Sequence, residues 1–394
     1  MRPRPVPVIE TMVDPVKLTA DLVQCQTVTP AEGGALQLLD RLLSAYGFDC
    51  HRVDRKGIPN LVAIWGDGRN GQTFGYSGHT DVVPIGDRGD WSCDPFGAEI
   101  REGMLYGRGS TDMKSSVAAF CAAAIELVDN APPDGRLILA ITGAEETGSP
   151  DGTRAIVDWM EARGLQADHF LVGEPTSVKK IGDAIKIGRR GAVTVYLTVT
   201  GVQGHTGYPD KALNPLPALV DLLHVFEGST LDEGSQNFAP STLAITTVDT
   251  GNPARNIIPG ACKATVNIRF NDNWTSDAIL DWVAARVARV ADEHGVTITS
   301  DHHVSGECFF SPPGKFSDMI QRAMQAETGR TPDLTTTGGI SDARHLVSHC
   351  PVVEAGLTGE TMHMVDERVS VAEINKLKSI YARILLHYFN GGAS

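Results

Sequence analysis

The sequence predicts an α/β protein of two domains, one built on a largely parallel sheet and the other a small α+β sandwich inserted into it. Three observations carry this. Short apolar runs alternate with helical stretches between residues 14 and 172, the pattern of strands joined by helical crossovers. The run LILAI at 137–141 is apolar without alternation, as expected of a strand buried on both faces. Near residue 191 the pattern changes to strict apolar–polar alternation, which marks strands with one face in water. A chain of 394 residues is also too long for one ordinary domain and comfortable for two.

Taken in order, Asp14 and Pro15 open the first helix, because Asp caps and Pro suits the first helical position. A second helix over 33–45 ends before Gly47, which stands where a C-terminal cap belongs. Strands follow at 60–65, 73–77, 137–141 and 169–172, with an Ala-rich helix at 113–128 and another at 153–163. From 192 to 200, Val193, Val195, Leu197 and Val199 face one way, and Thr194, Tyr196, Thr198 and Thr200 the other. A helix at 213–226 and alternating strands at 241–248 and 264–270 come next. Ser276 caps a helix with Ile279, Val283, Val287 and Val290 on one face, stopped at Gly295, and a strand at 296–300 closes the set. Strand–helix–strand–strand–helix–strand is an α+β sandwich. The expected boundaries are 191–304 for this inserted domain and 1–190 with 305–394 for the other, which a helix at 315–328, a strand at 350–354 and a helix at 371–389 complete.

Hydrophobic residues make up 42% and charged residues 21%, the balance of a soluble globular chain. The net charge of −14 excludes nucleic acid as a partner, since phosphate binding needs a basic face. Seven widely spaced cysteines with no C-x-x-C exclude a disulfide framework and a cysteine zinc site, and fit a reducing compartment. The opening MRPRPVPVIE lacks the apolar run of a signal peptide. No stretch approaches the ~20 apolar residues of a membrane span. The expectation is a cytoplasmic protein with no membrane partner.

Three clusters of metal-ligating residue types follow apolar strands directly. FGYSG leads into His79-Thr80-Asp81, LILAITGA into Glu145-Glu146, and FLVG into Glu174-Pro175. In open α/β sheets, ligands gather outside the carboxyl ends of the strands, so one crevice would hold all three. Asp112 adds a fourth segment, on the turn that opens the Ala-rich helix. Carboxylates this crowded repel one another unless a cation is present, and imidazole with carboxylate suits zinc. Hydrolases with this many ligands commonly hold a pair of ions that share one carboxylate. His79, Asp112, Glu146, Glu174 and one further histidine make such a set. His363, in GETMHMVDE, is the choice for the last; His205, in GVQGHTGYP, is the other candidate but lies in the inserted domain.

Nine segments, in order and spanning nearly the whole chain, resemble the co-catalytic zinc aminoacylase and carboxypeptidase family. They are GHTDVVP (78–84), LYGRGSTDMKS (105–115), TGAEET (142–147), VGEPT (172–176), KIGRRG (186–191), GVQGHTGYP (201–209), NIIPG (256–260), GGISDAR (338–344) and TMHMVDERV (361–369). The resemblance is strongest to the branch that removes the succinyl group of N-succinyl-LL-diaminopimelate. It implies a zinc-peptidase-like catalytic domain with an inserted lid and dimerisation domain, and two Zn²⁺ per subunit, with Co²⁺ or Mn²⁺ as substitutes. His79 and Glu174 would hold one ion, Glu146 and His363 the other, and Asp112 would bridge them. Asp81 would orient His79, and Glu145 would be the general base.

The same resemblance implies a homodimer, in which His205 enters the partner's site and holds the oxyanion. The substrate would be a small anionic N-acyl amino acid. Arg189, Tyr208, Asn256 and Arg269 would grip its carboxylates, with Gly338, Gly339 and Ser341 in a loop beside it. Ile340 stands where this branch carries Thr, Ala144 replaces an acid, and His345 replaces an aromatic residue. Deacylation of N-acetylornithine or another N-acyl amino acid is the alternative activity. A metal-binding relative without catalysis is a further one, against which the retention of both Glu145 and Glu146 argues.

Overall fold

A computed structural model describes residues 13–69 and 71–392; the opening segment considered above for a signal peptide lies outside them. The described chain forms two compact units.

The first unit comprises the chain to Ile187, Ser311–Thr335 and the chain from Ser341. Its sheet has eight strands, in the order Asp49–Arg52, Asn60–Trp65, Arg136–Thr142, Thr73–His79, His169–Val172, Val352–Glu354, Ala184–Lys186, Asp333–Thr335. The four central strands pair in parallel, and antiparallel neighbours flank them on both sides. The fold class read from the sequence is therefore the one observed. Thr73–His79 is buried along its whole length, which the absence of polar alternation anticipates. The helix Ser115–Asn130 covers one part of the sheet. Its buried alanines, Ala118, Ala119, Ala122, Ala123 and Ala124, let it approach closely, and Phe120 stacks on Tyr76 of the sheet at 3.8 Å between ring centroids. Asp14 caps the first helix as expected, accepting from the Val16 and Lys17 amides.

Parallel pairing positions the site. His79 lies opposite Thr142, and Ser77 opposite Val172. The carboxyl ends of three strands therefore stop at one edge, and the residues just beyond them, Asp81, Glu145, Glu146 and Glu174, emerge together.

The second unit comprises Gly188–Phe310 with Thr336–Ile340. Its antiparallel sheet runs in the order Thr242–Asp249, Ala261–Phe270, Gly191–Thr200, Thr297–Gly306. Val193, Val195, Leu197, Val199, Val266 and Ile268 form a core with Leu222 and Phe226 of the helix Leu216–Glu227 and Ile279, Val283, Val287 and Val290 of the helix Ser276–His294.

Several local expectations change here. The cap of the later helix is Thr275, whose hydroxyl accepts from the Ala278 amide, and not Ser276, whose hydroxyl is taken by Glu307. The earlier helix starts three residues late, after Pro215. Thr242–Asp249 is exposed along most of its length, because it is an edge strand with a register shift between Ile245 and Thr247. The last strand extends to Gly306 because it pairs along almost all of Gly191–Thr200. The units divide near, but not at, the expected boundaries: Gly188–Arg189 already pairs with Phe309–Phe310, and Thr336 Oγ1 donates to the Asn237 carbonyl.

Candidate metal centre

Five of the residues singled out by sequence converge in the first unit. His79, Asp112 and Glu174 form one group of donor atoms, and Asp112, Glu146 and His363 a second, with all atoms of each group within 4.8 Å of one another. Asp112 is common to both. His79 Nε2 lies 3.1 Å from Asp112 Oδ1 and 3.8 Å from Glu174 Oε1. His363 Nε2 lies 3.4 Å from Asp112 Oδ2 and 3.1 Å from Glu146 Oε1. The two oxygens of one carboxylate thus face two imidazoles.

Two ligands ~2.1 Å from one ion, at a tetrahedral angle, lie ~3.4 Å apart, and the observed separations bracket that value. The donor set, two imidazoles and three carboxylates, is the one a divalent transition ion takes. The electrostatics agree. Burial opposes a charged His79, yet hydrogen bonds to Asp112 and Asp81 outweigh it and hold the ring well above its usual pKa. Hydrogen bonds to Asp112, then to Glu146, raise His363 to about 10. Burial also opposes an ionised Asp112, but His363 and His79 hold its carboxyl well below the usual range. The centre draws positive charge to itself, which is the condition for binding a cation.

Backbone geometry fits the same purpose. Asp112 sits in an irregular turn at φ −121° and ψ 98°, so the Ala-rich helix begins at Ser115 and not at 113 as its composition suggests. His363 adopts a left-handed φ of 62°, which costs a non-glycine residue about 1–3 kcal/mol and is found where function requires it. Asp81 is fully buried. Its carboxylate lies 3.5 Å from His79 Nδ1, while its backbone carbonyl is nearer, at 3.0 Å. The same carboxylate accepts from the Glu145 and Glu146 amides and from Thr29 Oγ1, so it fixes the glutamate pair as well as facing the imidazole. Burial, then the nearby charges of Glu174 and Asp342, push the Glu145 carboxyl well above its usual pKa. Glu367 escaped the sequence reading. Its buried carboxylate accepts from the Thr111 and Asp112 amides, partners too remote in sequence to be anticipated.

The family model for peptidase family M20/M25/M40 matches residues 75–387. The chain belongs to that family. Among its relatives, succinyl-diaminopimelate desuccinylase 2 of Ruegeria sp. (strain TM1040) is 71% identical over 377 residues, 96% of this chain and 95% of that protein. The succinyl-diaminopimelate desuccinylase of Dinoroseobacter shibae is 57% identical over 378 residues, 96% of this chain and 100% of that protein. Among solved structures, an M20 family metallo-carboxypeptidase from Sulfolobus solfataricus has the same fold, with a TM-score of 0.79 at 16% identity, over 96% of this chain and 99% of that one. Membership of the M20 family and the donor set agree on a bound metal.

The remaining residues singled out in this M20 peptidase chain lie apart from the five donors in sequence and mostly in the second unit. His205 is exposed on the short pair Gly204–His205 with Ile257–Ile258. Its Nδ1 accepts from the Gly207 amide, which assigns the proton to Nε2. Tyr208 is exposed nearby, and the Asn256 carbonyl accepts from the Thr206 amide. Arg269 lies half-buried on the polar face of its strand, its Nε donating to Asn267 Oδ1. Arg189 is buried and donates to the Gly339 carbonyl, and Gly338 has a left-handed φ of 109°. Ser341, in the first unit, is fully buried, and its hydroxyl donates to Glu354. Among the described residues, no helix is long and apolar enough to cross a membrane.

Proposed function

We propose that the chain is a cytoplasmic enzyme that hydrolyses the amide of N-succinyl-LL-2,6-diaminopimelate to succinate and LL-2,6-diaminopimelate, with two zinc ions per subunit. The observation that carries this reading is the 71% identity, over 96% of the chain, to a relative named for that activity. Asp112, shared between two donor groups, supports two ions and not one.

His79 and Glu174 would hold one ion and Glu146 and His363 the other, with Asp112 available to both. When bound, the ions supply Lewis-acid polarisation of the acyl carbonyl and make water nucleophilic near neutral pH. Glu145 takes the proton of the attacking water as the oxygen–carbon bond forms. It then delivers that proton to the amide nitrogen as the carbon–nitrogen bond breaks, and the second proton of the water, left on the new carboxyl group, passes to the freed amine, so the products are succinate and the ammonium form of the amine. Asp81, through the Glu145 and Glu146 amides, keeps base and ligand in fixed relation. In the second unit, Arg269 offers the fork of its Nη pair to a substrate carboxylate. Arg189, Tyr208, Asn256, Gly338 and Gly339 complete the grip.

The test is succinate release by zinc-loaded protein from N-succinyl-LL-2,6-diaminopimelate, with N-acetylornithine run alongside. Release from the succinyl substrate is expected. Turnover of acetylornithine alone would move the activity to a sister deacylase, with Ile340 the first residue to exchange.

His205 acts across a homodimer formed by the second unit, its Nε2–H donating to the oxyanion of the partner's site. Glu145→Gln and His205→Ala are each expected to lower activity by about 10²-fold or more, and mixed dimers of the two to regain much of it, because each hybrid contains one complete site. Hybrids that form but stay inactive would place His205 in its own subunit's site or outside catalysis.

A further inference from the structure

A fully buried ion pair sits behind the metal centre, and the chemistry above leaves it without a role. Arg108 and Glu367 are 2% and 0% exposed, and Arg108 Nη1 donates to Glu367 Oε2 at 2.8 Å. Burying such a pair brings little net stability, since desolvation offsets the attraction. Its value lies in what else the two groups hold.

Glu367 Oε2 also accepts from the Gly109 amide at 3.0 Å, and Oε1 accepts from the amides of Thr111 and Asp112 at 2.9 and 3.2 Å. The carboxylate thus fixes the turn that presents Asp112, including the amide of Asp112 itself. Arg108 Nη1 donates to the carbonyl of Met364, next to His363, and Nη2 to that of Pro84, beyond His79 and Asp81. Three ligand-bearing segments, otherwise irregular loops, meet on one pair of side chains.

We propose that Arg108 and Glu367 are positioning residues that hold the Asp112 turn, the His363 loop and the segment after His79 in register for metal binding; this rests on the dinuclear reading above. Each carboxylate oxygen of Glu367 accepts two hydrogen bonds. A glutamine there keeps one oxygen and turns an NH₂ toward two donors, whichever way the amide is placed. The turn must then shift, and Asp112 with it. The shape of the side chain is otherwise unchanged.

Apoprotein titrated with Zn²⁺ in a calorimeter tests this, with wild type, Glu367→Gln and Arg108→Lys compared. Lysine keeps the charge but lacks the fork that reaches the Met364 and Pro84 carbonyls. Both variants are expected to bind Zn²⁺ weaker by on the order of 10–100-fold, the usual cost of disturbing a ligand's support. The visible spectrum of the Co²⁺-loaded forms should change, and at saturating zinc kcat should fall while KM for the succinyl substrate stays the same. Folded variants with wild-type zinc affinity and an unchanged cobalt spectrum would overturn the proposal. Failure of both variants to fold would overturn it too, making the pair structural. A wild-type apoprotein that binds no zinc would instead refute the dinuclear reading itself.

Discussion

Glu145→Gln is expected to lower kcat by about 10²–10⁴-fold, the usual contribution of a general base, while retaining its full complement of metal. The argument is geometric. Glu145 belongs to neither donor group, whereas its neighbour Glu146 belongs to one. The two amides are held by one Asp81 carboxylate, so removing the charge at 145 leaves the backbone and the neighbouring ligand where they are. Glutamine matches the shape of glutamate but cannot accept the proton. Metal content by atomic absorption, read beside kcat and KM, checks the result. Loss of an ion from this variant would mean that the roles of the two glutamates are reversed.

Asp112→Ala is expected to weaken both ions together and to lower activity by more than about 100-fold, since even groups that only support a ligand cost 10–100-fold when removed. Asp112 is the one residue in both donor groups. Without it each ion keeps a single imidazole and a single carboxylate, and the two histidines lose the counter-charge between them. His363→Ala makes the useful contrast, because it removes a donor from one group alone. Zinc titration of the two apoproteins separates the cases: two weakened sites are expected for Asp112→Ala and one for His363→Ala. A single weakened site in Asp112→Ala would show that the carboxylate serves one ion and not two.

Much of this protein is legible along the chain. Parallel strands buried on both faces announce themselves by apolar runs without alternation, and the half-exposed strands of the second unit by their period of two. The candidate donors are legible for a related reason. His79 ends its strand, and Glu146 and Glu174 follow theirs by a few residues, so recognising the strands already places them along one sheet edge. Caps and edges are less so. Thr275 and Ser276 both have capping hydroxyls, and Glu307, 31 residues on, takes the second. The strands at 241–248 and 296–300 look like ordinary sheet members, and only their places at the edges of the sheet decide how exposed they are and how far they run.

The sequence by itself determined the order of elements, the two-unit plan and the residue types at the metal centre, because these depend on local propensity, periodicity and the few residues that follow each strand. The tertiary structure alone decided that one aspartate faces two histidines, that Ser341 turns its hydroxyl inward to Glu354, and that Glu367 supports Asp112. Each of these depends on contacts between segments far apart, as between Gly109 and Glu367, 258 residues distant. The partners in such contacts are largely backbone amides and carbonyls. Every residue but proline carries the same amide, so only the folded chain reveals which of them a buried carboxylate will meet.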